Sequence, residues 1–319
     1  MRYTEIAGKK VSAMSLGTVQ LGLDYGIANR EGKPDRQKSF SILSAALEAG
    51  VTALDTARAY GDSEEVLGAF LKANPGSRDK LFITTKLLSD VPAGSPASDV
   101  EKALALSVET SLSKLGLSKV DCLLLHIADD MTLHGSVVPA TLRRFVNQGI
   151  ADMAGVSVYY PEEAETMMKD DIYTAIQLPM SILDQRFIES GAIEWLRGRG
   201  VKIFVRSVFF QGLLFLDPKS ITDPGLLRFA APHLKTLRRL SDKAGMSIAQ
   251  LALTFLRDMP GITSLVLGAE NPAQVMENSA LFEAPSLPDS LRHEAEEAFK
   301  DVDYEGIMTV LRKPRSLQT

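Results

Sequence analysis

The sequence is almost without cysteine, and this excludes a disulfide framework. Its single cysteine, Cys122, has no partner within the chain, so no intramolecular disulfide can form. A chain built without disulfides suits a reducing compartment. Cys122 lies in the apolar run "DCLLLH" (121–126), where we expect it to be buried as a small apolar residue.

Long hydrophobic runs are also missing. The first residues, "MRYTEIAGKK", contain no apolar core of a secretory signal. The most apolar stretch, "VKIFVRSVFFQGLLFL" (201–216), is interrupted by Arg206 and Gln211, and so falls short of the roughly 18 apolar residues of a membrane span. We therefore predict a soluble, cytoplasmic protein that does not enter a membrane.

Neither sign of charge dominates the chain. It has 35 basic and 40 acidic residues, a net charge of -5 and a pI of about 5.5. Such a balance creates no field that would attract nucleic acid or an anionic membrane. With 45% hydrophobic and 24% charged residues the chain has the composition of a globular protein. We expect a small molecule as its binding partner, and the composition does not indicate an oligomeric state.

No linker divides the 319 residues. There is no change of composition and no long segment rich in proline, serine and glycine, so we predict one domain over residues 1–319. The segment "DVPAGSPASD" (90–99) is predicted to be a loop within this domain. Residues from about 303 to 319 are predicted to form a C-terminal tail that ends in the frayed basic segment "LRKPRSLQT".

Eight short apolar runs recur along the chain and predict β-strands. A β-hairpin is predicted before them, around residues 1–12. The eight runs are "AMSLGT" (13–18), "TALDT" (52–56), "LFITTK" (81–86), "VDCLLLH" (120–126), "MAGVSV" (153–158), "TAIQLP" (174–179), "VKIFVRS" (201–207) and "TSLVLG" (263–268).

Amphipathic segments separate these runs and predict helices. In "VEKALALSVETSLSKLGL" apolar residues recur every three or four positions, and Gly116 marks the end of the helix. Two further helices are predicted to start at Ser63 and Pro161, each followed by acidic residues that are favourable in a first turn.

The alternation of strands and helices favours a parallel sheet covered by helices. Strands that are apolar throughout are typical of sheets buried on both faces. A doubly wound sheet would carry a G-x-G-x-x-G loop after its first strand, and "SLGTVQLGLDYG" lacks that spacing. We therefore predict an α/β fold, a closed (β/α)8 TIM barrel with an N-terminal β-hairpin.

Polar residues stand where successive strands end, and active sites of such barrels lie at the carboxyl ends of the strands. Asp55 ends the second barrel strand, Lys86 the third and His126 the fourth, while Tyr60 follows in the loop after Asp55. An ammonium group beside Asp55 would pair the buried acid, and its charge would make the Tyr60 phenol a usable general acid. His126 would orient a carbonyl oxygen toward Tyr60. This set lacks a source of electrons, which predicts a reducing cofactor.

These segments resemble the aldo-keto reductase superfamily. The resemblance is carried by "DTARAYG" (55–61), "TTK" (84–86) and "LLLH" (123–126), and it maps the family's catalytic tetrad onto Asp55, Tyr60, Lys86 and His126. It extends to "GVSVYY" (155–160), "IQLPMSILDQR" (176–186), "RSVFFQGLL" (206–214) and "LGAENPAQVMEN" (267–278), so that it spans about residues 10–280. It implies an NAD(P)H-dependent reduction of an aldehyde or ketone, with sugar-derived carbonyl compounds included, and with Tyr60 as the general acid.

The resemblance also implies cofactor contacts along the mouth of the barrel. Ser157 and Gln177 would hold the nicotinamide carboxamide, and Thr18 and Arg206 belong to the same cofactor set. The diphosphate would lie along Ser207, Gln211, Gly212 and Leu213. The adenosine end would meet Gly268, Gln274, Glu277 and Asn278.

The sequence departs from the commoner family pattern at several of these positions. Val158 stands where an asparagine is usual, and Arg206 replaces an aromatic residue that often stacks on the nicotinamide. Gly268, Ala269 and Gln274 stand where many members have Lys, Ser and Arg for the 2′-phosphate. Other branches with glutamine at the last position use NADPH, so the resemblance favours NADP(H) and leaves NAD(H) open.

Other interpretations of the same residues remain open. The segment "HIADD" (126–130) contains possible metal ligands, but no second close histidine accompanies it, so we predict no metal site and expect Asp129 and Asp130 to face solvent. Tyr25 lies in the first barrel loop, where it could contact a substrate. The alternative functions are a nicotinamide-binding regulatory or interaction subunit with little turnover, and a barrel isomerase or lyase acting on a phosphorylated sugar.

Overall fold

The structure is a computed structural model that describes residues 1–27, 29 and 32–311. Its ten strands are β1 (Tyr3–Ile6), β2 (Lys9–Ser12), β3 (Met14–Gly17), β4 (Ala53–Asp55), β5 (Phe82–Leu87), β6 (Val120–Leu125), β7 (Ala151–Ser157), β8 (Tyr173–Pro179), β9 (Lys202–Arg206) and β10 (Ile262–Leu267). The basic segment at the end of the predicted tail lies, from residue 312 on, outside the described residues.

Helices follow most of the strands. They are α1 (Val19–Gly22), α2 (Arg36–Glu48), α3 (Ser63–Ala73), α4 (Ala97–Leu115), α5 (Asp130–Leu133), α6 (Val137–Asn147), α7 (Pro161–Met167), α8 (Arg186–Glu189), α9 (Ala192–Gly198), α10 (Pro224–Phe229), α11 (Ala231–Ala244), α12 (Ile248–Arg257), α13 (Pro272–Leu281), α14 (Asp289–Phe299) and α15 (Tyr304–Leu311). Short 3₁₀ segments occur at Arg78–Lys80 and Phe210–Phe215.

The strands β3 to β10 form a closed barrel. Their order is β10-β3-β4-β5-β6-β7-β8-β9, and every neighbouring pair is parallel. The strands β1 and β2 pair antiparallel as a separate hairpin. Each of the eight apolar runs contributes one barrel strand, so the predicted (β/α)8 barrel with an N-terminal β-hairpin is confirmed.

The hairpin closes one end of the barrel, which we call the bottom. Ile6 and Val11 are buried and pack with Phe82, Cys122 and Phe204 inside the barrel. Lys9 ties the hairpin to the same end, because its Nζ lies 2.7 Å from Asp121. The carboxyl ends of the strands are at the opposite end, the mouth. Cys122 is buried, as predicted.

Local sequence accounts for most helix boundaries. Gly116 ends α4 in the left-handed region, at a φ of 65°, where glycine carries no steric penalty. The helix α7 starts at Pro161, as predicted, and α3 starts at Ser63.

One predicted boundary is wrong. The helix α4 begins at Ala97 behind Pro96, so the last three residues of the predicted loop 90–99 are helical, with Asp99 in a favourable first turn. Within the predicted tail, residues 304–311 form α15, whose side chains Tyr304, Ile307 and Met308 are buried. Apolar residues on one side of this segment pack it against α10. In the part of the chain that the structure describes, no helix is long and apolar enough to cross a membrane.

Candidate active site

Four of the predicted site residues meet at the mouth of the barrel. Asp55 is the last residue of β4, Lys86 lies near the end of β5, and His126 directly follows β6. Tyr60 lies in the loop after β4. Lys86 and Asp55 are buried, at 0% and 5% exposure, so two opposite charges share a space from which water is excluded.

Lys86 uses all three of its N–H donors within this set. Its Nζ lies 2.7 Å from Asp55 Oδ1, 3.0 Å from the Thr56 carbonyl and 3.3 Å from the Tyr60 hydroxyl. Burial opposes the charge on this ammonium, but Asp55 and Tyr60 outweigh it, and the pKa of Lys86 is raised. The lysine is therefore charged and points at the phenol oxygen.

Gln177 holds the second oxygen of Asp55. Its Nε2 donates to Asp55 Oδ2 at 2.7 Å, which fixes the carboxylate from the opposite side of the barrel. Its Oε1 is buried and has no hydrogen-bond partner among the described residues. Gln177 therefore supports the ion pair and also offers a free acceptor.

The loop that carries Tyr60 is packed closely against α1. A Cβ atom at Gly22 would lie 1.8 Å from the Tyr60 carbonyl, and one at Gly61 would lie 2.4 Å from the Gly22 carbonyl. Gly61 also has a φ of 57°, in the left-handed region. The two glycines let the backbones touch and set the height of Tyr60 above Lys86.

Thr18, which the resemblance places in the cofactor set, contacts the end of β4 and the start of α3. Its hydroxyl donates to the Asp55 carbonyl at 2.9 Å and accepts from Ser63 Oγ at 2.7 Å. Thr18 is fully buried. The contacts it makes hold the end of β4 in place.

His126 lies beside Tyr60 as an uncharged ring. The two rings meet edge to face, with centroids 5.6 Å apart. Burial, followed by the charges of Lys86 and Arg206, lowers the pKa of His126 to about 4. Its Nδ1 is buried and has no partner among the described residues. At neutral pH the imidazole can therefore orient an oxygen atom but does not compete with Tyr60 as an acid.

Arg206 and Ser157 lie at the ends of β9 and β7, on either side of β8 at the mouth. Arg206 is half-buried, donates from Nη2 to the Val158 carbonyl at 3.0 Å, and has its guanidinium carbon 4.3 Å from the centroid of the Tyr159 ring. Ser157 is buried at the end of β7. Val158 stands where the family usually has asparagine, so it has no amide side chain to offer, and its backbone carbonyl accepts the hydrogen bond from Arg206.

The segment 207–213, which we call the β9 loop, has an unusual backbone. Ser207, Phe210 and Gln211 have φ values of 63°, 51° and 57°, and Gly212 has a φ of 92°. Such a run of non-glycine residues in the left-handed region is costly and is typical of functional sites. Leu213 is buried behind it. Left-handed turns of this kind expose successive backbone N–H groups that can receive an anion.

The predicted adenosine contacts lie on and before α13. Gln274 Oε1 accepts from the Glu270 backbone N–H at 2.7 Å, and Asn278 Nδ2 donates to the Gly268 carbonyl at 3.4 Å. Glu277 is exposed. The structure thus brings these residues together after β10, with Gln274 and Asn278 partly engaged by their own segment.

Sequence reasoning missed one residue at this end of the barrel. A Cβ atom at Gly268 would lie 2.1 Å from Gln20, whose Oε1 is buried and unpartnered among the described residues. Gln20 lies in α1, after the first barrel strand. Only its position in that loop could have indicated it.

Tyr25 faces the same mouth. Burial, and secondly the neighbouring Tyr60, raise the pKa of Tyr25 to about 12, while Arg206 opposes the increase. The Tyr304 side chain of α15 also acts on it, so the C-terminal helix reaches the mouth. Tyr25 is therefore a protonated hydroxyl beside the candidate acid.

A cavity of about 430 Å³ opens next to the four residues. It is lined by Ala59, Leu88, His126, Ile127, Ala128, Asp129, Tyr159 and Glu163. His126 and Tyr159 connect the cavity with the catalytic residues and with Arg206. It is large enough for a small organic molecule.

The prediction for Asp130 is wrong, whereas Asp129 is exposed as predicted. Asp130 is 4% exposed and accepts a hydrogen bond of 2.7 Å from Ser89 Oγ. Its position at the start of α5 turns the carboxylate inward, toward the end of β5. Among the described residues no group of three or more histidine, cysteine, aspartate or glutamate side chains is arranged to hold a metal ion.

Comparison with known proteins identifies the family. The sequence model of the Aldo/keto reductase family matches residues 13–298. The chain is 30% identical, over 87% of its length and 86% of the relative, to L-glyceraldehyde 3-phosphate reductase of Escherichia coli K12. It is 29% identical, over 72% of its length and 77% of the relative, to 6-dehydroglucose reductase of Agrobacterium fabrum.

A solved structure agrees with the fold. The aldo-keto reductase AKR11C1 from Bacillus halodurans, in its holo form, superposes with a TM-score of 0.75 at 24% sequence identity. The match covers 93% of this chain and 95% of the other. With a family model that spans most of the barrel and with reductases among its relatives, the chain belongs to the aldo/keto reductase family.

Proposed function

We propose that the protein is an NAD(P)H-dependent oxidoreductase that reduces an aldehyde or a ketone to the alcohol. The observation that carries the proposal is the position of Lys86 Nζ, 2.7 Å from Asp55 and 3.3 Å from the Tyr60 hydroxyl. The family and the reductase names of the relatives support it.

The chain's own residues supply the proton and control its charge. Tyr60 donates its hydroxyl proton to the carbonyl oxygen, and the ammonium of Lys86 stabilises the phenolate that remains. Asp55 keeps Lys86 charged, since the pKa of Lys86 is raised in spite of burial. Neutral His126 orients the carbonyl oxygen by a hydrogen bond from its ring.

The residues around the mouth fit a nicotinamide cofactor, which supplies a hydride when it is bound. Gln177 Oε1 is a buried acceptor without a partner in the described residues, as a carboxamide N–H₂ group requires, and Ser157 lies beside it on the neighbouring strand. The left-handed β9 loop suits a diphosphate. We assign the diphosphate to this loop and the adenosine to the segment around Gly268 and α13, with NADP(H) preferred and NAD(H) as the alternative.

The substrate in this proposal is a small carbonyl compound related to a sugar. The relatives named above are reductases of L-glyceraldehyde 3-phosphate and of 6-dehydroglucose. The cavity beside His126 has room for a molecule of that size. The reaction is reversible in principle, and the direction depends on which form of the cofactor is supplied.

A cofactor absorbance assay tests the proposal. Purified protein with NADPH or NADH and a panel of aldehydes is expected to consume the reduced cofactor, and Tyr60→Phe is expected to lower kcat by about 10²- to 10⁴-fold, the contribution of a general acid. Tyr3→Phe is the matched control, because Tyr3 lies in the hairpin at the bottom and its hydroxyl only donates to the Gly50 carbonyl.

Two results would contradict the proposal. One is the absence of turnover with every aldehyde and both cofactors, and the other is equal turnover in wild type and Tyr60→Phe. Tight binding of NADPH without turnover would instead support a regulatory subunit, the alternative that the complete set of four residues disfavours.

A further inference from the structure

Arg206 brings to the mouth a positive charge that no described carboxylate neutralises. Its contacts are the Val158 carbonyl at 3.0 Å, Ser207 Oγ at 3.5 Å and the Tyr159 ring at 4.3 Å, and none of them carries a negative charge. Arg206 does act on the carboxylate of Asp184, since its charge opposes the rise of the Asp184 pKa. Asp184, however, is already bound by Arg186 through two hydrogen bonds of 2.7 and 3.0 Å.

Neither the ion pair nor the histidine of the candidate site offsets the charge of Arg206. Lys86 is paired with Asp55 at 2.7 Å, and His126 is neutral because burial lowers its pKa to about 4. Arg206 therefore keeps a positive charge that pairs with no carboxylate among the described residues. A half-buried guanidinium has lost part of its hydration, and a bound anion would replace it.

The charge of Arg206 acts on the side of the mouth where the carbonyl would lie. It contributes to the low pKa of His126 and opposes the raised pKa of Tyr25. Tyr25 stays protonated at neutral pH, and its loop is bonded to the segment that follows Arg206, because the Ile27 N–H donates to the Gln211 carbonyl at 3.1 Å. A cationic fork and a hydroxyl donor thus border the same space.

Two acids line the neighbouring cavity, and neither forms an ion pair with Arg206 among the described residues. Glu163 keeps its negative charge, and its Oε2 accepts from the backbone N–H groups of Tyr159 and Tyr160 at 2.6 and 3.0 Å. Asp129 is exposed, so water and salt screen it.

We infer that Arg206 and Tyr25 bind an anionic group of the substrate, a carboxylate or a phosphate, so that the enzyme prefers aldehydes or ketones that carry a negative charge. The inference rests on the proposed function and names its substrate class. A guanidinium binds either anion through two parallel hydrogen bonds. The diphosphate of the cofactor is the other source of such an anion, but we assign it above to the left-handed backbone of the β9 loop.

Matched charged and uncharged substrates test the inference. We compare kcat/KM for 4-oxobutanoate with that for butanal, and for glyceraldehyde 3-phosphate with that for glyceraldehyde. Wild type is expected to favour the charged member of at least one pair by about 10-fold or more. In Arg206→Gln that preference is expected to fall by about 10- to 100-fold, the value of a hydrogen bond to a charged group, mainly through KM.

Two further variants separate the charge from the shape of the side chain. Arg206→Lys keeps the charge and is expected to retain part of the preference. Tyr25→Phe is expected to lower the preference by about 3- to 10-fold, the value of an ordinary hydrogen bond. The Kd of NADPH, measured by fluorescence for each variant, provides the readout for the cofactor.

Three outcomes would overturn the inference. They are a wild type that does not distinguish charged from uncharged substrates, a preference that Arg206→Gln leaves intact, and a Kd of NADPH that rises in Arg206→Gln while the preference stays the same. The last result would assign the guanidinium to the cofactor's phosphates.

The inference and the proposed function can fail separately. Absence of turnover with all four aldehydes would sink the proposed function. Calorimetry with 4-hydroxybutanoate and butan-1-ol would still decide the anion site, because only the charged alcohol should bind wild type and lose affinity in Arg206→Gln. Equal affinity for the two alcohols would contradict the inference.

Discussion

At the scale of single residues, the buried pair of Asp55 and Lys86 links stability to chemistry. Removing two charges from water costs several kcal/mol per ion, and the cost is offset only if every donor and acceptor is used. Here Lys86 donates three hydrogen bonds, and Gln177 takes the second carboxylate oxygen of Asp55. The same bonds that make the charges tolerable also aim the ammonium at Tyr60.

Asp55, Lys86 and His126 could be predicted from the sequence because each stands at or near the end of an apolar strand, and Tyr60 because it follows Asp55 in the next loop. The burial of Asp130 could not be predicted from the sequence, because its hydrogen-bond partner Ser89 lies 41 positions earlier in the chain. The support that Gln177 gives to Asp55 could not be predicted either, because this hydrogen bond crosses the barrel and joins residues 122 positions apart in the chain. Local patterns reveal polar residues at strand ends, whereas their partners depend on closure of the sheet.

The low pKa of His126 predicts a pH dependence of stability. Between its ordinary value of about 6.5 and about 4, the unfolded chain binds a proton at this position that the folded chain does not, so the free energy of unfolding falls as the pH falls. From pH 7 to pH 5 we expect wild type to lose about 1–2 kcal/mol more than His126→Gln. Urea unfolding of both proteins at the two pH values measures this. Equal losses would show that His126 titrates as an ordinary surface histidine.

At the scale of elements, the short helix α1 sets the position of the loop that carries Tyr60. The contact depends on glycine, because a side chain at Gly22 would meet the Tyr60 carbonyl at 1.8 Å. Backbone atoms on both sides leave no flexible group that could move away. Glycine is needed at position 22 for this close packing, because the backbone conformation of Gly22 is one that other residues could adopt.

Gly22→Ala is therefore expected to displace Tyr60 and lower kcat by at least about 10-fold, since small misplacements of a catalytic group are costly. Gly198→Ala in α9 is the matched control, because a Cβ atom there meets nothing within 4 Å and alanine favours a helix. Steady-state kinetics and thermal unfolding of both variants provide the measurement. An unchanged kcat in Gly22→Ala would contradict the role assigned to α1.

Element boundaries show where sequence reasoning stops. The eight barrel strands were predictable because each is a short apolar run between turn signals. The helix α15 was missed because its contacts are distant: Arg186 lies 3.4 Å from the Tyr304 ring centroid, and Tyr160 donates to Glu305 at 2.8 Å. These bonds dock the helix at the mouth, and nothing in the local sequence predicts them.

At the scale of the whole molecule, the two ends of the barrel have different tasks. The bottom is closed by the hairpin and has an apolar core bordered by the ion pairs of Asp121 with Lys9 and Arg78, while the mouth gathers the candidate catalytic groups. Such separation is general in barrels of this type, in which conserved chemistry lies at the carboxyl ends of the strands. Changes at the bottom should therefore alter stability and leave the chemistry unchanged.

Val11→Ala tests this separation. Val11 is fully buried in the bottom core, so the loss of two methyl groups is expected to lower the free energy of unfolding by about 1–3 kcal/mol, with kcat within about twofold of wild type. Thr4→Ala in the exposed strand β1 is the control and should change stability by less than about 0.5 kcal/mol. A large fall in kcat for Val11→Ala would show that the two ends are coupled.

The hairpin also offers a site for attaching the molecule to a surface at the end opposite the mouth. Since the native thiol, Cys122, is enclosed in the barrel, Glu5→Cys in the exposed part of β1 would create the one reactive sulfur accessible to a maleimide or a gold surface. Attachment there would orient every molecule with its mouth toward the solution. An electrode or bead coated in this way would present the entrance to incoming reagents, which random coupling through lysines would not.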